Sequence, residues 1–168
     1  MAEKAAAISA RLNWYVERLV ALLMIALVLD VWLGVVARYA LRAQIPWTEE
    51  LARYLMIWAA LLAISAGIAR REHIGFNMLL ARFPEGLQKL LLTAFDLIAL
   101  GFFLFMMIYG IGMTMTGAKQ FAMIFDMSMA MPYASVPVSA AVAAIQLVLV
   151  AIRDHGRLHH LEVNEELV

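Results

Sequence analysis

The chain contains no cysteine. That single absence excludes disulfides, thiolate nucleophiles and cysteine-ligated metal. Charge is also scarce: Asp, Glu, Lys and Arg make up 15% of the 168 residues, 13 acidic against 13 basic, so the formal net charge is zero. A balanced chain offers no basic face for phosphate backbones, and nucleic acid is not an expected partner. Histidine is confined to His73, His155, His159 and His160, none of them inside an apolar run. Haem held within a helical membrane subunit needs axial ligands at depth, and none is placed for that role. His155, His159 and His160 read as a solvated tail cluster rather than a metal site. No Ser–His–Asp set, P-loop or HExxH motif occurs, so no enzyme, catalytic residue or metal is expected.

What the chain has in excess is apolar surface. Hydrophobic residues make up 65% of it, and its mean hydropathy is +0.84. A soluble domain has about 45–50% apolar residues, and a chain this small has too much surface to hide the surplus. The bilayer must therefore be the solvent for most of it. Four apolar runs lie at about 14–37, 50–69, 87–112 and 133–152. Each is close to the ~20 residues that cross a hydrocarbon core about 30 Å thick. Backbone donors in lipid must be satisfied within their own segment, which predicts helices. The runs are continuously apolar rather than alternating, which excludes barrel strands. The expected fold is an all-α integral membrane protein, one membrane domain over residues 1–168, with four transmembrane helices. Lys4, Arg11 and Arg18 precede the first run as in a signal peptide. The run is longer than the ~7–15 residues of such a segment, so it is read as an uncleaved first span.

Lys and Arg set the orientation. Nine fall in the N-terminal segment, the second loop and the C-terminal tail; four (Arg38, Arg42, Arg53 and Lys119) fall on the other side. The positive-inside rule then places both termini and the second loop in the cytoplasm. In that second loop Phe76, Leu79, Leu80 and Phe83 follow helical spacing, predicting a short amphipathic interfacial helix that ends at Pro84-Glu85-Gly86. The third loop is rich in methionine, with Met113, Met115, Met123, Met127, Met129 and Met131, and Phe121, Ile124 and Phe125 share one face if it is helical. It is either a greasy loop dipping into headgroups or an adaptable docking surface.

Pro46 to His73 is the most unusual stretch. Trp47, Glu49, Glu50 and Arg53 crowd one end of a run that has no charged side chain from Tyr54 to Ala69, and Arg70, Arg71, Glu72 and His73 close the other. Spacings of three and four put Glu49, Glu50 and Arg53 on one helix face. The acids also suit a helix N-terminus, with Thr48 as cap and Trp47 as an interfacial anchor. Either this is a well-capped helix, or it is a polar socket that grips another protein or locks to Arg38 and Arg42. Asp30 and Asp96 lie within spans, where a charge costs at least ~2.5–3.5 kcal/mol and must face protein or water. Each is either an ion or proton site or a packing contact, with Gln146, Thr93 or a partner chain as the other half. Ala59, Ala63 and Gly67 repeat at four-residue spacing, as do Ala140 and Ala144, marking grooves for close helix approach. Phe102, Phe105 and Tyr109 form an aromatic stripe that faces lipid or a larger membrane partner.

These features resemble the small membrane subunit, the DctQ-like or Q subunit, of tripartite ATP-independent periplasmic (TRAP) transporters. The resemblance rests on Arg38, Pro46-Trp47, Glu49-Glu50, Arg53, Trp58, Gly67, the Arg71-x-His73 ending, and Pro132 and Pro137 at the entry of the fourth span. It covers nearly the whole chain; the Met-rich DMSMAMPY segment departs from it. The resemblance implies a secondary, ion-coupled organic-acid uptake system in the bacterial inner membrane. Its partners would be a large multi-span subunit that carries substrate and sodium, a periplasmic substrate-binding protein, and membrane lipid. The small subunit would need no cofactor of its own, would scaffold the large subunit, and would help to dock the binding protein. Glu49, Glu50 and Arg53 would then hold the outer interface. Span two with Trp58 and Gly67, and the Phe102, Phe105 and Tyr109 stripe, would pack on the large subunit. Arg71, His73 and the amphipathic loop would anchor the cytoplasmic surface. The competing readings are a self-contained small four-helix transporter, with Asp30 as its only candidate carboxylate, and a haem-free structural subunit of another membrane complex.

Overall fold

The computed structural model describes residues 2–43, 45–70 and 83–154. The described residues form four long helices and one short one: α1 Ala2–Tyr39, α2 Pro46–Arg70, α3 Glu85–Gly117, α4 Ala130–Tyr133 and α5 Ser135–Asp154. Four stretches are long and apolar enough to cross a membrane, the last of them running from Ala130 to Asp154 through both α4 and α5. The expected all-α class with four spanning helices is what the chain forms. The amphipathic helix expected around Phe76–Phe83 falls mostly in 71–82, outside the described residues; Phe83 itself lies in a bend.

The helix ends overrun the apolar runs. α1 has 38 residues, about 57 Å at 1.5 Å per residue, nearly twice a ~30 Å hydrocarbon core. Hydropathy marked its start near residue 14, yet the helix begins at Ala2. The added segment AEKAAAISARLN is rich in strong helix formers, with Glu3 in the first turn where the dipole favours it. It is also tied down: Gln146 Nε2 on α5 donates to Ser9 Oγ at 2.7 Å, both residues being fully buried. α3 likewise continues to Gly117, with Thr114 and Thr116 hydroxyls donating to the carbonyls of Gly110 and Gly112 at 2.8 and 3.0 Å. Between α4 and α5 the helix is interrupted at Ala134, and Pro137 cannot donate across it to Tyr133 O. Serine hydroxyls bond back into this break: Ser135 Oγ to Pro132 O at 2.6 Å and Ser139 Oγ to Ser135 O at 2.5 Å.

α5 is the hub. It packs on α1, α2 and α3, whereas α1 and α2 form an extended antiparallel pair and α3 leans on α4 and α5. The core cluster is Ile68, Phe103, Ala140, Ala143, Ala144 and Leu147, with Ala99, Leu100, Met106 and Met107 against it. Between helices in lipid there is no hydrophobic gain from burial, so van der Waals contact of small residues must carry the packing. The alanines of α5 fill that role, as their spacing suggested. The stripe on α2 does not: Ala59 is buried, but Ala63 is exposed and a Cβ on Gly67 would meet open space. The face of α2 turned inward is instead Ala59, Leu62, Ser65, Ile68 and Ala69.

Glycines that admit close approach lie elsewhere. A Cβ on Gly110 would sit 2.9 Å from Pro137 Cδ and 3.0 Å from Pro137 N. One on Gly117 would run into the Tyr133 ring, and one on Gly34 would sit 3.1 Å from Thr48 Oγ1. These three sites seat α3 against α4 and α5, and α1 against α2.

Candidate partner interface

The two ends of the α1–α2 pair are pinned by ion pairs. At the far end from the N-terminus, α1 closes through bonds from Ala40 and Leu41 to Val36 O, and Arg42 turns the chain in the left-handed region at φ 51°. This brings Arg38 to the first turn of α2, where Arg38 Nη2 meets Glu49 Oε1 at 2.6 Å. Both side chains are largely exposed, 61% and 68%. Thr48 anchors that turn, its hydroxyl donating to Ile45 O at 2.9 Å. At the opposite end Arg70 Nη2 meets Glu17 Oε1 at 2.5 Å, and Asn13 Nδ2 donates to the same oxygen at 3.0 Å. Nearby, the Arg18 guanidinium lies 3.3 Å from the Trp14 ring centroid, and Trp14 and Tyr15 form an exposed aromatic pair. Ion pairs and aromatic side chains at both ends match the levels of two membrane–water boundaries.

Glu49, Glu50 and Arg53 do not form one cluster. Glu49 turns to Arg38, while Glu50 Oε1 accepts the Tyr54 hydroxyl, which also approaches Met129 Sδ at 3.4 Å. Glu50 Oε2 is buried and has no hydrogen-bond partner among the described residues. Arg53 is exposed and makes no ion pair among the described residues, and neither does Arg42. Three residues of α2 thus point three ways: one to α1, one inward, one outward. Trp47 stands at the rim, its ring 6.4 Å from Phe125. Trp58 is half-buried on α2. Arg71 and His73 lie outside the described residues.

The connection from α3 to α4 is not helical, contrary to the shared face expected of Phe121, Ile124 and Phe125. Phe121 and Ser128 form an antiparallel bridge, Ala122 N donates to Met127 O at 2.8 Å, and Met129 N donates to Gln120 O at 2.9 Å. Asp126 adopts φ 49°, a left-handed conformation that Asp tolerates in a tight turn. The segment is a small hairpin with its apolar side chains splayed outward.

Phe102, Phe105 and Tyr109 are all exposed on the outer face of α3, with Phe105 and Tyr109 rings 4.3 Å apart. Phe103, one position along, is the aromatic that enters the core. Asp96 lines a groove of about 220 Å³ between α3 and α5 with Thr93, Leu97, Leu100, Leu147 and Val148. Asp30 is 6% exposed in the seam of α1, and neither carboxylate oxygen has a hydrogen-bond partner among the described residues. Of the side chains named as partners for these acids, Gln146 bonds Ser9, and the Thr93 hydroxyl bonds Lys89 O of its own helix. No group of three or more His, Asp or Glu able to hold a metal occurs among the described residues.

Sequence reasoning missed Tyr54, Ser9 and the three close-packed glycines. Tyr54 stands four residues after Glu50, a spacing that could have signalled their bond. Ser9 precedes the apolar run and carried no signal.

Residues 27–156 match the family described as tripartite ATP-independent periplasmic transporters, DctQ component. The chain is also 34% identical over 70 residues to a TRAP transporter small permease protein of Haemophilus influenzae, covering 42% of this chain and 44% of that one. It is 34% identical over 74 residues to the C4-dicarboxylate TRAP transporter small permease protein DctQ of Vibrio cholerae, covering 44% of this chain and 32% of the relative. In each case the match spans less than half of the relative's length.

Proposed function

The chain belongs to the DctQ component family of tripartite ATP-independent periplasmic transporters, and from that premise we propose that it is the small permease subunit of an ion-coupled organic-acid uptake system. It scaffolds a large membrane subunit that carries substrate and coupling ion, and it presents its Trp47 end to the periplasm, where a substrate-binding protein docks. Both termini lie in the cytoplasm, and the membrane is the bacterial inner membrane. The family match over residues 27–156 carries this reading. Supporting it, few of the large apolar side chains among the described residues are buried, and α1 and α3 expose many of theirs.

Roles divide by exposure. The Arg38–Glu49 pair and Glu50–Tyr54 fix the shape of the outer end, and exposed Arg53 and Trp47 are the groups free to meet another chain. Phe102, Phe105 and Tyr109 line the face offered to the large subunit. The test is Arg53→Ala measured two ways, by uptake and by recovery of the large subunit on a tagged small subunit. Loss of uptake with assembly intact assigns Arg53 to docking of the binding protein; loss of both assigns it to the permease interface. Uptake and assembly both at the parent level would remove Arg53 from the interface.

A further inference from the structure

The hairpin between α3 and α4 carries an apolar tip that its own fold leaves uncovered. Phe121, Met123, Ile124, Phe125 and Met127 are all exposed, Met123 completely. Its position is fixed by two contacts with α2: Phe125 beside Trp47, and Met129 beside the Tyr54 hydroxyl. Trp47 and Tyr54 are about 10 Å apart along α2. The hairpin therefore lies alongside the first two turns of a spanning helix rather than standing beyond its end. That is the level at which Trp side chains mark the boundary between headgroups and acyl chains.

We infer that this hairpin is a lipid anchor, with Phe121, Met123, Ile124 and Phe125 seated in the headgroup–acyl boundary of the leaflet at the Trp47 end. The inference rests on the chain's spanning the membrane and goes beyond the transport role. Three observations favour lipid over a protein occupant. The end of α3 that leads into the hairpin is itself exposed at Tyr109, Met113 and Met115, so lipid that covers this part of the helix also reaches the hairpin. Five large apolar side chains left bare to water between visits of a soluble partner would form an aggregation-prone patch. The backbone is closed on itself by the bonds from Ala122, Asp126 and Met129, which permits shallow insertion, while a turn that keeps amides for water stops short of the acyl core. Unbranched methionine adapts to a fluid surface without a fixed pocket, and the nearby charges of Lys119 and Asp126 are both exposed and so able to reach water.

Because the chain lacks cysteine, single labels need no background removal. The full chain carrying Met123→Cys, Lys119→Cys or Leu29→Cys is labelled with an environment-sensitive fluorophore and reconstituted in phosphatidylcholine vesicles. Leu29 is exposed on the mid-span face of α1 and serves as the control for membrane insertion. The expected result is blue-shifted emission at position 123, quenched more by lipid nitroxide at carbon 5 than at carbon 12 and little by iodide. Position 119 should show the reverse preference for iodide, and position 29 should be quenched best by the deeper nitroxide. Iodide access at 123 with normal quenching at 29 overturns the anchor and leaves the spans intact; failure at 29 as well overturns the membrane reading itself. Protection at 123 that appears only after a large permease subunit or a periplasmic binding protein is added also overturns the anchor, in favour of a protein contact.

Discussion

Replacing Gly110 with alanine should weaken the seat of α3 on α5, and replacing Gly101 with alanine should not. Both glycines lie in α3, so both variants make the same chemical change in the same helix. At Gly101 a Cβ meets nothing within 4 Å, and the variant gains up to about 1 kcal/mol from helix propensity. At Gly110 the same Cβ falls 2.9 Å from Pro137 Cδ and 3.0 Å from Pro137 N. The proline ring and its backbone nitrogen cannot swing aside as a flexible side chain would, so the helices must part. Overpacking of this kind costs about 1–3 kcal/mol. The propensity gain is common to both, so Gly110→Ala should be less stable than Gly101→Ala by about 1–3 kcal/mol. Thermal unfolding of the two purified variants in one detergent, followed by helical circular dichroism, measures the difference. Equal midpoints, or a higher midpoint for Gly110→Ala, would refute the close packing of α3 on Pro137.

Ser9→Ala removes the acceptor of a fully buried Gln146 bond at 2.7 Å and should destabilise the chain by about 0.6–2 kcal/mol. Adding Gln146→Leu should recover part of that loss, because no buried amide is then left without its partner; the same melting assay reads both. Arg38→Gln or Glu49→Gln should shift stability by no more than about 1 kcal/mol, since the pair is mostly exposed. If the proposed large subunit is a partner, any larger effect of these two substitutions should appear in its recovery rather than in the melting of the isolated chain.

The spans were legible because continuous apolar composition is a statement about solvent, and solvent decides where a helix can cross. Their ends were not, because a helix does not stop where its hydropathy drops. Ala2–Asn13 is held by a buried amide on α5 that lies 137 residues away in sequence. The hairpin was misread for a related reason. Phe121, Ile124 and Phe125 have helical spacing, but a left-handed Asp126 and three backbone bonds fold the segment back on itself. The Trp47 end was partly legible: the three charges were visible, but their directions depend on which neighbour each one meets, Arg38 across the α1–α2 pair for Glu49 and Tyr54 one turn along α2 for Glu50. The small-residue stripe on α2 had the right composition on the wrong face, whereas Gly34, Gly110 and Gly117 matter because of what lies opposite them. Asp30 was visible as a carboxylate at depth, and its burial without a partner among the described residues emerges only from the packed helices.

The most direct measurement is affinity purification of the tagged chain from its native membranes, followed by uptake in vesicles reconstituted with and without the protein that accompanies it. A TRAP small permease subunit should bring down one large many-span membrane protein in fixed ratio, and binding-protein-dependent uptake of an organic acid should need both chains. A tagged chain that purifies alone and drives transport by itself would contradict that assignment.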